Sequence, residues 1–222
     1  MVRNKYPEET VARILDAALE LFAKQGYEHT SIQDIVDHLD GLTKGAIYHH
    51  FKSKEEIFDA AVNRVLAPTF GCIAANRDAR HLTGAQKVAR LFSPETVIPQ
   101  AELWNRLAPD PDPIKNARLL GMEYRDSFAE SAERYVLPII EEGVADGSIV
   151  CEHPRETAEA LSLLANLWLL PLFRSKGTTG DMLNRIDVFA NMARAVGLEF
   201  DRVLMAETVQ GLETVYCGED RE

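Results

Sequence analysis

Apolar residues recur three and four positions apart along most of this chain, and glycine and proline mark the breaks between the runs. Val11, Ile14, Leu15, Ala18, Leu21 and Phe22 form one such stripe, which predicts a helix over Glu9–Gln25 ended by Gly26, behind a lead of residues 1–8. Ile32, Ile35, Val36 and Leu39 predict a second, short helix. Thr30 stands where a cap is needed, with Gln33 three residues on as its capping-box partner. Gly41 supplies the turn, Thr43 caps a third helix, and Ile47 and Phe51, one turn apart, give that helix a core side. Ser53 and Glu56 read as a further capping box that opens a fourth helix over Lys54–Cys72, with Ile57, Phe58, Ala61, Val62, Val65 and Leu66 apolar and a weak far end at Pro68 and Gly71.

Beyond this the pattern becomes irregular before turning helical again. Short helices are predicted over Thr83–Phe92 and Gln100–Leu107, separated by Ser93, Pro94 and Pro99, and the run Ala108–Pro113 (APDPDP) is a loop. A long element follows over Pro113–Asp146, broken near Pro138, then helices over Pro154–Phe173, Asp181–Val196 and Asp201–Tyr216. The fold class this predicts is all-α.

The third helix carries the most distinctive chemistry. With Ile47 and Phe51 turned inward, Lys44, Gly45, Tyr48 and His49 look out: small at the start, so that a backbone can come close, then cationic and aromatic-hydroxyl. Such a face suits a DNA major groove. Tyr48 could also be a core aromatic beside Ile47 and Phe51, but its helical phase differs from theirs. The net charge of -11 excludes a general coat for nucleic acid. The acid is uneven, though: residues 1–60 hold seven basic and eleven acidic residues, whereas residues 41–54 hold Lys44, Lys52 and Lys54 and no acid. A local patch of this kind is a focused footprint for phosphates.

The runs ILDAALELFAKQGYEHTSIQDIVDHL and GLTKGAIYHHFKSKEEIF closely resemble the N-terminal signature of the TetR/AcrR family of bacterial transcriptional regulators, over about fifty residues. The resemblance implies a three-helix, helix-turn-helix DNA-binding domain over residues 1–54, and over 55–222 a larger helical domain that binds an effector and dimerises. It implies phosphate contacts from Thr30, Ser31, Tyr48 and Lys54, and groove contacts from Thr43, Lys44, Gly45 and His49. It also implies a cavity for a small molecule in the second domain. Phe70, Trp104, Tyr124, Phe128, Asn166 and Trp168 are the candidate lining, because effector sites are mostly apolar with a few polar anchors. Each of these aromatics is equally readable as core, and Asn166 as a hydrogen-bond partner across a subunit boundary. Glu123 and Arg125 read as solvated or paired.

Pairing of two chains has its own sequence support. Between Ala160 and Phe173 only Ser162 and Asn166 are polar, and a helix apolar nearly all round needs cover on nearly all sides. The next helix carries Met182, Ile186, Phe189, Ala193 and Val196 on one stripe, with Val188 and Met192 beside it. Two such helices from each chain would make a four-helix homodimer interface, and the family's last two long helices are its dimerisation pair. A dimer presents two reading helices to a near-palindromic operator.

Other classes lack their motifs. There is no GxSxG, HExxH, P-loop or GxGxxG, so neither enzyme chemistry nor a cofactor is expected. An all-helical small-molecule-binding or enzymatic protein with an idle reading head is the competing class. His49 and His50 are adjacent and point about 100° apart on a helix, which excludes chelation of one metal ion. Cys72, Cys151 and Cys217 are scattered and odd in number, fitting free thiols. With no apolar signal core in MVRNKYPEET and no stretch of about 20 apolar residues, the expectation is a cytoplasmic protein without a membrane partner.

Overall fold

The computed structural model describes residues 7–108, 110, 112–169, 177–200 and 202–216. All regular elements among them are helical: α1 (Pro7–Gln25), α2 (Ile32–His38), α3 (Lys44–His50), α4 (Lys54–Arg77), α5 (Gly84–Arg90), α6 (Pro94–Leu107) and α7 (Ala117–Asp126). There follow a π-helical stretch π1 (Ser127–Val136), α8 (Leu137–Asp146), α9 (Pro154–Leu163), a second π stretch π2 (Leu164–Leu169), α10 (Thr179–Ala195) and α11 (Arg202–Tyr216). The chain divides into two compact units, one of residues 1–67 and 106–109, the other of 68–105 and 110–222.

The first unit is organised around α1. Its apolar stripe is buried as the spacing requires, with Ile14, Ala18 and Phe22 fully enclosed. The Phe22, Tyr27 and Phe58 rings meet pairwise with centroids 5.1–5.5 Å apart, which ties the start of α4 to the end of α1. On the solvent side, Arg64 donates to the Ala12 carbonyl and pairs with Asp16, and Arg13 donates to the Asp40 carbonyl at 3.2 Å. α4 has the length and apolar composition of a membrane span, but Ile57, Phe58 and Ala61 are packed into this core, so its apolar side is helix-packing surface.

The second unit buries Val88, Leu137, Ile139, Ile140, Ile149, Ala158, Leu161, Phe189, Ala193 and Leu198 in one cluster. α5 docks on the end of α8 at a glycine pair: a Cβ on Gly84 would lie 2.2 Å from the Gly143 Cα, so only glycine fits there. The Gly84 and Ala85 amides donate to Asp146 and Ser148. Hydrogen bonds to the Asp146 carboxyl from the Ser148 side chain first, and then from the Gly84 and Ser148 amides, hold it below the ordinary carboxylate range. Lys87, 2% exposed, donates to Glu142 and to the Arg77 carbonyl, so this buried charge is paired and hydrogen-bonded as burial demands.

Several elements differ from the sequence expectation. α4 runs to Arg77 rather than Cys72: Pro68 removes one amide donor, yet Thr69 and Ile73 beyond it are buried and Asn76 donates to the Lys87 carbonyl. α6 begins at Pro94 and continues through Pro99; the first proline occupies the helix start, where no amide partner is needed. The element after the loop is α-helical only in part, because π1 occupies its centre and Pro138 sits in the first turn of α8. The predicted helix over Pro154–Phe173 changes to π geometry at Leu164, and its expected end at Phe173 lies outside the described residues.

Candidate nucleic-acid interface

The reading head is built from three caps and one turn. Ser31, not Thr30, caps α2: its hydroxyl accepts from the Asp34 amide while the Asp34 carboxylate accepts from the Ser31 amide. Those bonds hold Asp34 below the ordinary carboxylate range. α2 ends at Leu39, Gly41 takes the turn at φ +78°, and Thr43 caps α3 through the Ala46 amide at 3.3 Å. Ser53 accepts from the Glu56 amide to open α4, but the Glu56 carboxylate reaches the Lys52 amide rather than closing a reciprocal box on Ser53.

α3 then shows two distinct sides. Ile47 is fully buried and Phe51 nearly so, while Thr43, Lys44, Gly45, Tyr48 and His49 are exposed. Tyr48 is 48% exposed, which decides between its two sequence readings: it is a surface residue, not core. His50 is half-buried, with its ring 5.2 Å from that of His49. Gly45 has an ordinary backbone, and a Cβ placed there would meet nothing closer than the Thr43 Oγ1 at 3.9 Å. No packing within the described chain requires glycine at this position, although glycine weakens a helix by about 1 kcal/mol relative to alanine.

The structure separates the expected phosphate contacts from these. Thr30 is 1% exposed, and its hydroxyl donates to the Gly26 carbonyl at 2.8 Å; its side chain braces the end of α1 instead of facing out. The Lys54 ammonium donates to the Tyr27 carbonyl at 2.7 Å and lies 4.1 Å above the Tyr27 ring. Ser31 is exposed, but its hydroxyl is held by Asp34. Lys52, just after α3, is also exposed; the charge count pointed to it, whereas the contacts implied by the family resemblance did not include it.

Residues 14–61 match the family described as bacterial regulatory proteins, tetR family. Over these residues the chain is similar to the N-terminal domain of the TetR family. Relatives include the HTH-type transcriptional regulator AcrR of Shigella flexneri, 49% identical over 51 residues, which are 23% of each chain. The HTH-type transcriptional repressor KstR2 of Rhodococcus jostii is 38% identical over 71 residues, 30% of this chain and 34% of that one. The chain thus spans between about a quarter and a third of the length of these curated TetR relatives. A transcriptional regulator from Saccharomonospora viridis, solved in complex with choline, matches 86% of this chain and 98% of its own at 20% identity and a TM-score of 0.50. At that identity the likeness concerns the fold.

The candidate effector residues, all in the second unit, are placed differently from one another. Tyr124, 53% exposed, packs its ring 5.1 Å from that of half-buried Phe128. Asn166 on π2 donates to the hydroxyls of Ser127 at 3.3 Å and Ser131 at 3.1 Å, so its partners lie within its own chain. Phe70 stacks on Tyr135 at 6.4 Å, Trp104 is buried on α6, and Trp168 lies under the Arg185 guanidinium at 5.1 Å. Tyr124, Phe128 and Asn166 therefore share one helix pair. Among the described residues, Phe70 and Trp168 meet other partners, Tyr135 and Arg185. Glu123, read from the sequence as solvated or paired, is instead 9% exposed, and burial, reinforced by the nearby Asp126 charge, pushes its carboxyl up to about 8.

Proposed function

We propose that this chain is a transcriptional repressor that binds a near-palindromic DNA operator as a homodimer and releases it when a small molecule occupies the second unit. The outward face of α3 carries this reading. Thr43, Lys44, Gly45, Tyr48 and His49 are exposed together with no acid among them, and Gly45 leaves open space that internal packing does not use. A bare backbone flanked by a cation and a phenol suits close approach to a groove, with phosphates in reach of the longer side chains. Thr43, Lys44, Gly45, Tyr48 and His49 form the proposed contact set, joined by Lys52. The name of the Rhodococcus relative supports the sign of regulation, and the family supports action in the cytoplasm.

Pairing is supported by α10. Val188, Met192 and Val196 follow one another at four-residue steps, each at least 40% exposed, and half-buried Leu164, Leu167 and Trp168 lie on π2, which packs against α10 within the same unit. A second copy would cover this apolar surface by the isologous pairing common among homodimers. Of the residues expected from the sequence, Met182, Phe189 and Ala193 are buried in the chain's own core, and only Val196 with the neighbouring Val188 and Met192 is left exposed for a partner.

The test is fluorescence anisotropy with duplexes recovered by random-sequence selection, titrated over a salt series. The expected result is salt-sensitive binding of two chains per duplex, weakened by Tyr48→Ala with folding unchanged. A selection that enriches no duplex would overturn the reading and leave the second unit as the functional part.

A further inference from the structure

Glu123 on α7 is buried with no hydrogen-bond or ion-pair partner among the described residues. Among the described residues, the charge acting on it is that of Asp126, which adds to the cost rather than relieving it. A carboxyl in this condition is costly unless something pairs with it.

It stands at the end of a polar seam. Ser127 and Ser131 follow Glu123 at four-residue steps, and the Ser127 hydroxyl donates to the Glu123 carbonyl at 2.8 Å. Asn166 reaches both hydroxyls from the facing element. Four residues before Asn166, Ser162 is 4% exposed, and its hydroxyl has no partner. Glu123 on α7 and Ser162 on α9 thus both border π1, which continues α7 and packs against α9. Both elements also leave α geometry along this seam, at π1 and π2, and π stretches are found mostly where a helix does more than fill space.

We infer that Glu123 anchors the effector site and that the effector is a small organic cation carried on an apolar body. The inference rests on the ligand-responsive reading above. A cation supplies the counter-charge that favours the ionised form of Glu123, and the neighbouring Tyr124 and Phe128 rings, which pack on each other, offer apolar surface and aromatic faces of the kind that hold cations. A metal ion fits less well: no group of three or more His, Cys, Asp or Glu gathers among the described residues, and one carboxylate does not make a coordination sphere.

The experiment is isothermal titration calorimetry of the full chain with benzyltrimethylammonium and, as its neutral counterpart, benzyl alcohol. Wild type, Glu123→Gln and Glu123→Asp are compared, each first shown to be folded by circular dichroism. The cation is expected to bind wild type, to bind Glu123→Gln at least about tenfold more weakly, the loss of one charged contact, and to bind Glu123→Asp within a few-fold of wild type. Benzyl alcohol should not distinguish the three. Equal affinity of the cation for wild type and Glu123→Gln, equal loss in both variants, or no heat with wild type would each overturn the inference. Anisotropy on the same samples separates the two proposals. DNA binding with a cation response indifferent to Glu123 sinks the anchor alone, and cation binding without any selected duplex sinks the regulator alone.

Discussion

The Lys54 ammonium donates to the Tyr27 carbonyl at 2.7 Å and lies 4.1 Å above the ring of the same residue. One cation thereby fastens the first turn of α4 to the chain just after α1, beside the Phe22, Tyr27 and Phe58 rings. A residue expected from the family resemblance to contact phosphate acts first as a clamp inside the reading head.

This gives Lys54 and Lys44 opposite signatures. Lys54→Met should lower the thermal midpoint, by an amount corresponding to about 1–3 kcal/mol, since it removes a charged hydrogen bond and a cation–π contact. Lys44→Ala, on an exposed side chain, should leave the midpoint within about 0.5 kcal/mol while flattening the salt dependence of DNA binding. Melting curves for the two variants check this; equal midpoints would mean that the Lys54 clamp adds nothing to the fold.

Gly45 separates stability from recognition more sharply. A Cβ there has room, so Gly45→Ala should stabilise the protein by up to about 1 kcal/mol through helix propensity. The added methyl intrudes only on what approaches from outside, so the same variant should bind the selected duplex more weakly. Denaturant titration and anisotropy together measure both effects. A variant that is more stable and binds DNA as well as wild type would remove Gly45 from the contact set.

Along α10, adjacent positions should behave in opposite ways. Met192 is 46% exposed and Phe189 fully buried against Phe92 and Phe200, with ring centroids 5.2 and 5.4 Å away. Met192→Glu should give a folded monomer at concentrations where wild type is a dimer, whereas Phe189→Glu should fail to fold, burying a charge among aromatic rings. Sedimentation and circular dichroism distinguish these outcomes; a normal dimer from Met192→Glu would move the interface elsewhere.

The reading head was legible in the sequence because its signals are local. Gly41, Thr43, Ile47 and Phe51 each act within one turn of where they stand, and the structure uses all four as expected. Even the misplaced cap was displaced by a single residue, from Thr30 to Ser31, because both carry hydroxyls with a polar residue three positions on. The second unit was harder to read because its decisions are made by packing. Nothing within five residues of Pro99 tells a helix break from a helix interior, and nothing near Phe189 tells whether an apolar stripe faces its own chain or a partner. Glu123 was misread for the same reason. A glutamate on an amphipathic helix is ordinarily solvated, and only tertiary packing, which the local sequence does not show, makes this one buried.

Burial of Glu123 also sets a pH dependence whose sign can be worked out. Its carboxyl rises from the ordinary 4.5 to about 8 in the folded protein, so between those values the folded chain holds a proton that the unfolded chain has lost. Stability from this group is therefore fully present below about pH 4.5, declines across the window, and is gone above about pH 8. The whole decline is on the order of 5 kcal/mol, at about 1.4 kcal/mol per pH unit. Glutamine keeps the shape and cannot ionise, so Glu123→Gln should match wild type near pH 5 and become progressively more stable than it up to pH 8, with a constant difference beyond. The check is a series of urea titrations between pH 5 and 9 on both proteins. Parallel curves would mean that the carboxyl is paired or solvated in solution, and an organic cation would then have no unpaired charge to meet.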